Sequence, residues 1–67
     1  MNVSVNNTIW EVADSCTIAD VLLKADMTTQ QGIAVAVNNS VITRIDWPTF
    51  MLQEKDQITI IKATQGG

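Results

Sequence analysis

The residue types with the clearest chemical potential are two glycines, Gly66 and Gly67, in a chain of 67 residues. Lacking a Cβ, an extended Gly-Gly segment enters a narrow channel, approaches another protein's reactive groups closely and accepts the dihedrals imposed on it. A chain end adds a free carboxylate, a group open to chemical modification. A carboxylate is a poor electrophile until it carries a good leaving group such as AMP, so the activating ATP chemistry must come from a partner. Two glycines at two given positions arise by chance in roughly 0.5% of chains at a background near 7%. Coincidence or an expression scar is therefore the competing explanation.

The remaining residues offer little rival chemistry. With no His and a single Cys, the chain has neither a Ser-His-Asp nor a Cys-His pairing, and no zinc-ligand spacing. Gly32 is isolated, so there is no glycine loop to cradle a phosphate. Asp14, Asp20, Asp26, Asp46 and Asp56 are scattered and lack the spacing of a calcium loop. These absences argue against a self-sufficient enzyme with a cofactor or metal of its own.

Cys16 has two readings. It precedes a helix N-cap, where an apolar side chain staples onto the residue five positions on, Val21. A helix N-terminus also lowers a thiol's pKa, which would favour reactivity. Packing is preferred, because no base or second thiol accompanies it. Trp47 and Phe50 are either a binding patch or core volume, and in a core this small aromatic rings more often fill space. Trp10 fits an exposed or edge position. Thr59 and Ile61 are expected on the sheet face turned away from the helix, where an apolar residue can mark a partner surface.

Composition narrows the partners. Four Lys and Arg against seven Asp and Glu give a net charge of −3, spread without runs. Phosphate binding needs a clustered basic face, so nucleic acid is disfavoured, as is an anionic membrane. The longest wholly apolar run, Ile33 to Val37, is far short of the ~20 residues that span a bilayer. The N-terminal segment MNVSVNN has neither the cationic nor the apolar part of a signal peptide. A lone cysteine agrees with a cytoplasmic location.

The elements that must present the glycines follow from hydrophobic spacing. Met1, Val3 and Val5 alternate with Asn2, Ser4 and Asn6 as in a half-buried strand, Asn6-Asn7 forms a tight turn, and Ile9 to Val12 returns. Thr17 is the N-cap of a helix with Asp20 three residues on. Ile18, Val21, Leu22 and Ala25 form its apolar stripe, Asp20 and Lys24 an i, i+4 pair, and it ends near Asp26. Thr28 to Gly32 is expected to be a polar loop. Ile33 to Val37 is a dense apolar strand, Asn38-Asn39-Ser40 a turn, and Val41 to Thr43 a brief return. Ile45 to Gln53 is irregular, with Pro48 opening a single helical turn. Gln57 to Lys62 is the last strand, with Ile58 and Ile60 on one face. One helix across one mixed sheet buries both apolar faces, with the first and last strands side by side in the middle. Residues 1–62 thus form one α+β domain, and 63–67 a flexible tail.

The helix segment TIADVLL, the strand GIAVAVN at Gly32 to Asn38, VITRIDW at Val41 to Trp47, LQEKDQI at Leu52 to Ile58 and the terminal Gly66-Gly67 occur in an order and spacing that resemble the sulfur carrier proteins of thiamine biosynthesis, the ThiS family. These are ubiquitin-like β-grasp proteins with a sheet of four to five strands. The resemblance spans nearly the whole chain, with two departures: Thr43 stands where the family often has Pro, and Lys55 where it often has Gly. It implies that an E1-like adenylating enzyme, using ATP and magnesium, acts on Gly67, with Gln65 and Gly66 threading its active site. A persulfide sulfur donor would then convert Gly67 to a thiocarboxylate that delivers sulfur to thiazole synthase. The small subunit of molybdopterin synthase, a carrier for another sulfur metabolite, a ubiquitin-like modifier and a plain interaction domain are the alternatives.

Overall fold

Two asparagine pairs set the sheet geometry. Asn6 and Asn7 have φ of 49° and 70°, and Asn38 and Asn39 have φ of 52° and 72°. Paired left-handed residues make the two-residue turns whose twist matches a β-hairpin. A two-residue loop pairs its flanking residues directly, and here Val5 faces Thr8 and Val37 faces Ser40. Both return strands therefore begin one residue earlier than the alternation of apolar residues suggests. In the computed structural model, which describes residues 1–26 and 32–62, the strands are β1 (Asn2–Val5), β2 (Thr8–Glu11), β3 (Ile33–Val37), β4 (Ser40–Ile42) and β5 (Gln57–Lys62). The expected loop from Thr28 falls outside the described residues except for Gly32.

The sheet runs β2-β1-β5-β3-β4. β1 and β5 pair in parallel and the other neighbours are antiparallel. The first and last strands lie side by side as expected, with β5 in the centre. One helix, α1 (Ile18–Lys24), packs on one face, which is the mixed-sheet β-grasp arrangement. Val3, Val5, Val35, Val37, Ile58 and Ile60 from the sheet meet Ile18, Val21 and Leu22 from the helix, with Cys16, Trp47 and Leu52 closing the core. All of these side chains are less than a tenth exposed.

The helix start is held from two directions. The Thr17 hydroxyl accepts from the Asp20 N–H at 3.2 Å, and the Asp20 carboxylate accepts from the Thr17 N–H at 3.0 Å. This capping box contributes about 1 kcal/mol. The next two N–H groups find carbonyls in the loop before β5: Ile18 N–H donates to Phe50 and Ala19 N–H to Trp47. No donor of that first turn is left for an anion. With Asp20 engaged in the box, the expected Asp20–Lys24 ion pair does not form. Lys24 instead lies 5.9 Å from the Trp10 ring centroid, and its Nζ donates to the Glu11 carbonyl at 3.3 Å. The helix closes at Ala25, with Asp26 at φ 60° and its N–H on the Leu23 carbonyl.

The helical turn between β4 and β5 is a 3-10 segment at Arg44–Asp46, ahead of Pro48 rather than opened by it. The two departures from the family pattern have clear local consequences. Thr43 sits at φ −68° and ψ 150°, a φ that proline would also adopt, so the position takes a proline-compatible conformation without one. Lys55 sits at φ 70°, in the left-handed region that favours glycine. Its N–H is tied to the Asn2 carbonyl at 2.7 Å, and Asp56 braces the same turn by accepting from the Gln53 N–H at 2.7 Å. Lys55→Gly is therefore expected to raise stability by ~0.5–1 kcal/mol, relief of Cβ crowding outweighing the added unfolded-state entropy. A denaturant melt with an unchanged or lower midpoint would contradict this.

Candidate functional site

The face of the sheet opposite α1 is built by strand register. Thr59 on β5 stands opposite Ala36 on β3, which stands opposite Val41 on β4, and Ile61 stands opposite Ala34. Side chains directly opposite in a sheet share a face. The result is one apolar surface running from the C-terminal half of β5 to the β4 edge. Val41 is 73% exposed and Ile61 54%. At the other side of the sheet, Ile9 on β2 is 70% exposed and stands opposite Ser4 on β1.

Thr59 and Ile61 thus lie where strand alternation predicts. Ile9, Ala34, Ala36 and Val41 join them only through the register and were missed. For Ile9 a signal was available: if Trp10 packs inward, its neighbour must point outward. Trp10 is on the edge strand as expected, yet it is half-buried and packs against the core instead of standing free. The residues Gln65, Gly66 and Gly67 lie outside the described residues. β5 ends at Lys62, and it is the central strand of the sheet.

The other candidates resolve as structure. Trp47 is buried, its indole N–H donating to the Ile42 carbonyl at 2.9 Å. The Arg44 guanidinium lies 5.0 Å from the centre of its ring. Phe50 is half-buried against the core. Cys16 is 6% exposed, and its thiol donates to the Thr17 carbonyl at 3.5 Å. Burial pushes the Cys16 thiol above its ordinary value of 9.0, the Asp20 carboxylate adds to this, and Lys24 opposes it. The helix start thus fails to activate the thiol, because desolvation of a thiolate outweighs the dipole.

Cys16 is expected to resist a thiol reagent at neutral pH in the native protein and to react within the dead time in denaturant. Fast native labelling would show that the thiol is not held in the core. Because its pKa is raised on folding, Cys16 favours the fold below about 9.0, and that contribution is lost as pH climbs through the folded value.

Among the described residues no group of three His, Cys, Asp or Glu could hold a metal ion, and no helix is long and apolar enough to cross a membrane.

The model of the ThiS family matches residues 3–67. The chain belongs to the ThiS family. A protein of Escherichia coli (strain K12) called sulfur carrier protein ThiS is 28% identical over 67 residues, with all of both chains covered. The crystal structure of a ThiS protein of thiamine biosynthesis from Geobacter metallireducens superposes with a TM-score of 0.83, at 22% identity and with all of both chains covered. A solution NMR structure of a thiamine biosynthesis protein from the same organism gives 0.78 at 22% identity, covering all of this chain and 88% of the other. These two structures carry the fold, and the ThiS family match carries the relationship.

Proposed function

We propose that this chain is a sulfur carrier of thiamine biosynthesis and not a catalyst, with Gly67 as the residue that bears the sulfur. The observation that supports it most directly is the ThiS family match, which continues through residue 67. Residues 1–62 act as the docking body and 63–67 as the reaching segment. Five extended residues span at most ~18 Å, enough to enter a partner's active site while the body stays outside.

An adenylating enzyme with ATP and magnesium joins the Gly67 carboxylate to AMP and releases pyrophosphate. The terminal sulfur of a protein persulfide attacks the activated carbonyl and AMP leaves, giving an acyl disulfide. A second thiol reduces that disulfide and frees the Gly67 thiocarboxylate. The thiocarboxylate is a softer nucleophile than the carboxylate, suited to giving its sulfur to thiazole synthase. In this reading the chain carries no cofactor of its own in the cycle and works in the cytoplasm beside its partners.

Intact-mass measurement after incubation with the adenylating enzyme, ATP, magnesium and a persulfide donor tests this reading. The expected product has one oxygen of Gly67 replaced by sulfur. Isopeptide-linked conjugates instead would show a ubiquitin-like modifier. Transfer to a molybdopterin precursor but not to thiazole synthase would move the chain to the other carrier pathway.

The open face docks the partner in this reading. Ile61→Asp places a charge in the contact, where burial without a counter-charge is costly. It is expected to raise the KM for the carrier by roughly ten-fold or more, with the melting temperature little changed because residue 61 is exposed. An unaltered KM would remove this face from the docking surface.

A further inference from the structure

β1 stops at Val5, where the Asn6-Asn7 turn carries the chain away to β2. Its partner β5 continues from Ile58 to Lys62. On the β1 side the backbone ladder includes Ser4 N–H donating to the Asp56 carbonyl at 2.9 Å and Asn6 N–H donating to the Ile58 carbonyl at 3.0 Å. The next rung belongs to Ile60, and no β1 backbone remains to supply it. The side-chain amide of Asn6 takes that place: its Oδ1 accepts from the Ile60 N–H at 2.8 Å, and its Nδ2 donates to the Ile60 carbonyl at 3.3 Å. A carboxamide presents one acceptor and one donor with the spacing of a peptide group, so it satisfies both backbone groups of a strand residue. On the other side β3 pairs with β5 as far as Lys62. The strand is thereby held on both sides at Ile60, and on the β3 side as far as Lys62.

We infer that Asn6 is a positioning residue for the reaction at Gly67: its amide extends the β1–β5 ladder by one rung and holds the end of β5, the strand that precedes residues 63–67 in the chain. The inference rests on the sulfur-carrier reading above. The left-handed φ of 49° at Asn6 explains only why Asn, Asp or Gly suits the turn. The two hydrogen bonds to Ile60 demand more, because Gly has no side chain and Asp has no donor. Clamping Ile60 fixes the strand end to which the reaching segment is tethered, so fewer arrangements of that anchor are sampled before the carboxylate is placed in an active site. The docking face on β3, β4 and β5 is left in place, so the effect belongs to turnover more than to binding.

The test uses the full chain with Asn6→Gly, which keeps the turn, and Asn6→Asp, which keeps the acceptor for the Ile60 N–H. Amide hydrogen exchange of the isolated protein is expected to quicken at Ile60 by about ten-fold in Asn6→Gly, with Val3 and Val35 unchanged. Adenylation followed by pyrophosphate release, well below the melting temperature, is expected to show kcat lower by about five-fold and KM within about two-fold, with Asn6→Asp between Gly and wild type. Unchanged exchange at Ile60 would remove the clamp. Quickened exchange with wild-type kcat, or a kcat loss matching the unfolded fraction, would leave Asn6 a turn and stability residue only and overturn the inference while the carrier reading stands. A wild-type chain that the adenylating enzyme never converts would instead overturn the carrier reading, and with it any role of Asn6 in that reaction.

Discussion

Deleting Gly67 is expected to abolish conversion by the adenylating enzyme altogether while moving the melting temperature by less than ~2 °C. The two halves of this result have separate physical causes. Activity is lost because the reacting carboxylate is then displaced by one residue, roughly 3.3 Å along an extended chain. A shift of that size takes a carbonyl out of attack distance, where placement alone can account for several kcal/mol of the barrier. Stability is kept because every core residue among those described lies between Val3 and Ile60. The measurement is pyrophosphate release paired with a thermal melt. Full turnover by the truncated chain would place the reacting group elsewhere, and a collapsed melt would mean that residue 67 supports the fold.

The opposite pattern is expected for Ile58→Ala. Ile58 is 2% exposed and sits in the central strand, opposite Val5 on one side and Val37 on the other. The cavity left by the missing carbons faces helix residues that cannot follow it, because the capping box and the Phe50 and Trp47 carbonyls anchor the helix start. A cost of ~2–5 kcal/mol follows from lost burial plus incomplete collapse. A domain of this size has only a few kcal/mol to lose, so the variant is expected to be largely unfolded at 37 °C. Its melting temperature should fall by ~10 °C at the least, and activity should be lost in proportion to the unfolded fraction. A loss below ~1 kcal/mol in a denaturant melt would show that β5 is not the centre of the core.

These two variants separate the roles of neighbouring parts of one strand and its extension. Inward residues of β5 hold the domain together; in the proposed function, outward residues of the same strand face the partner and the segment beyond it bears the chemistry. Asn6 links the first of these roles to the last, since its amide is what holds β5 once the β1 backbone has turned away.

Local patterns in the sequence determined most of the elements. Alternation in Val3 and Val5, the 3.6-residue stripe of Ile18, Val21 and Leu22, the Thr17 and Asp20 cap and the two asparagine turns each act over a few residues, so they are visible without a fold. The family was legible because the segments that carry the ThiS resemblance are read in order along the chain, and the family match over residues 3–67 agrees with them. Only the tertiary structure decided which residues share the open face, because Ala34, Val41 and Ile61 come from three strands and are brought together through register alone, with Ile9 on β2 at the other side of the sheet. It also decided the state of Cys16, where burial in the core outweighs the local influence of a helix start, and it turned Lys24 away from Asp20 and towards Trp10 on a neighbouring strand. The second role of Asn6 belongs to the same class, since Ile60 lies 54 residues away in sequence. Contacts over a few residues are written in the local pattern; contacts across the sheet exist only once the strands are ordered side by side.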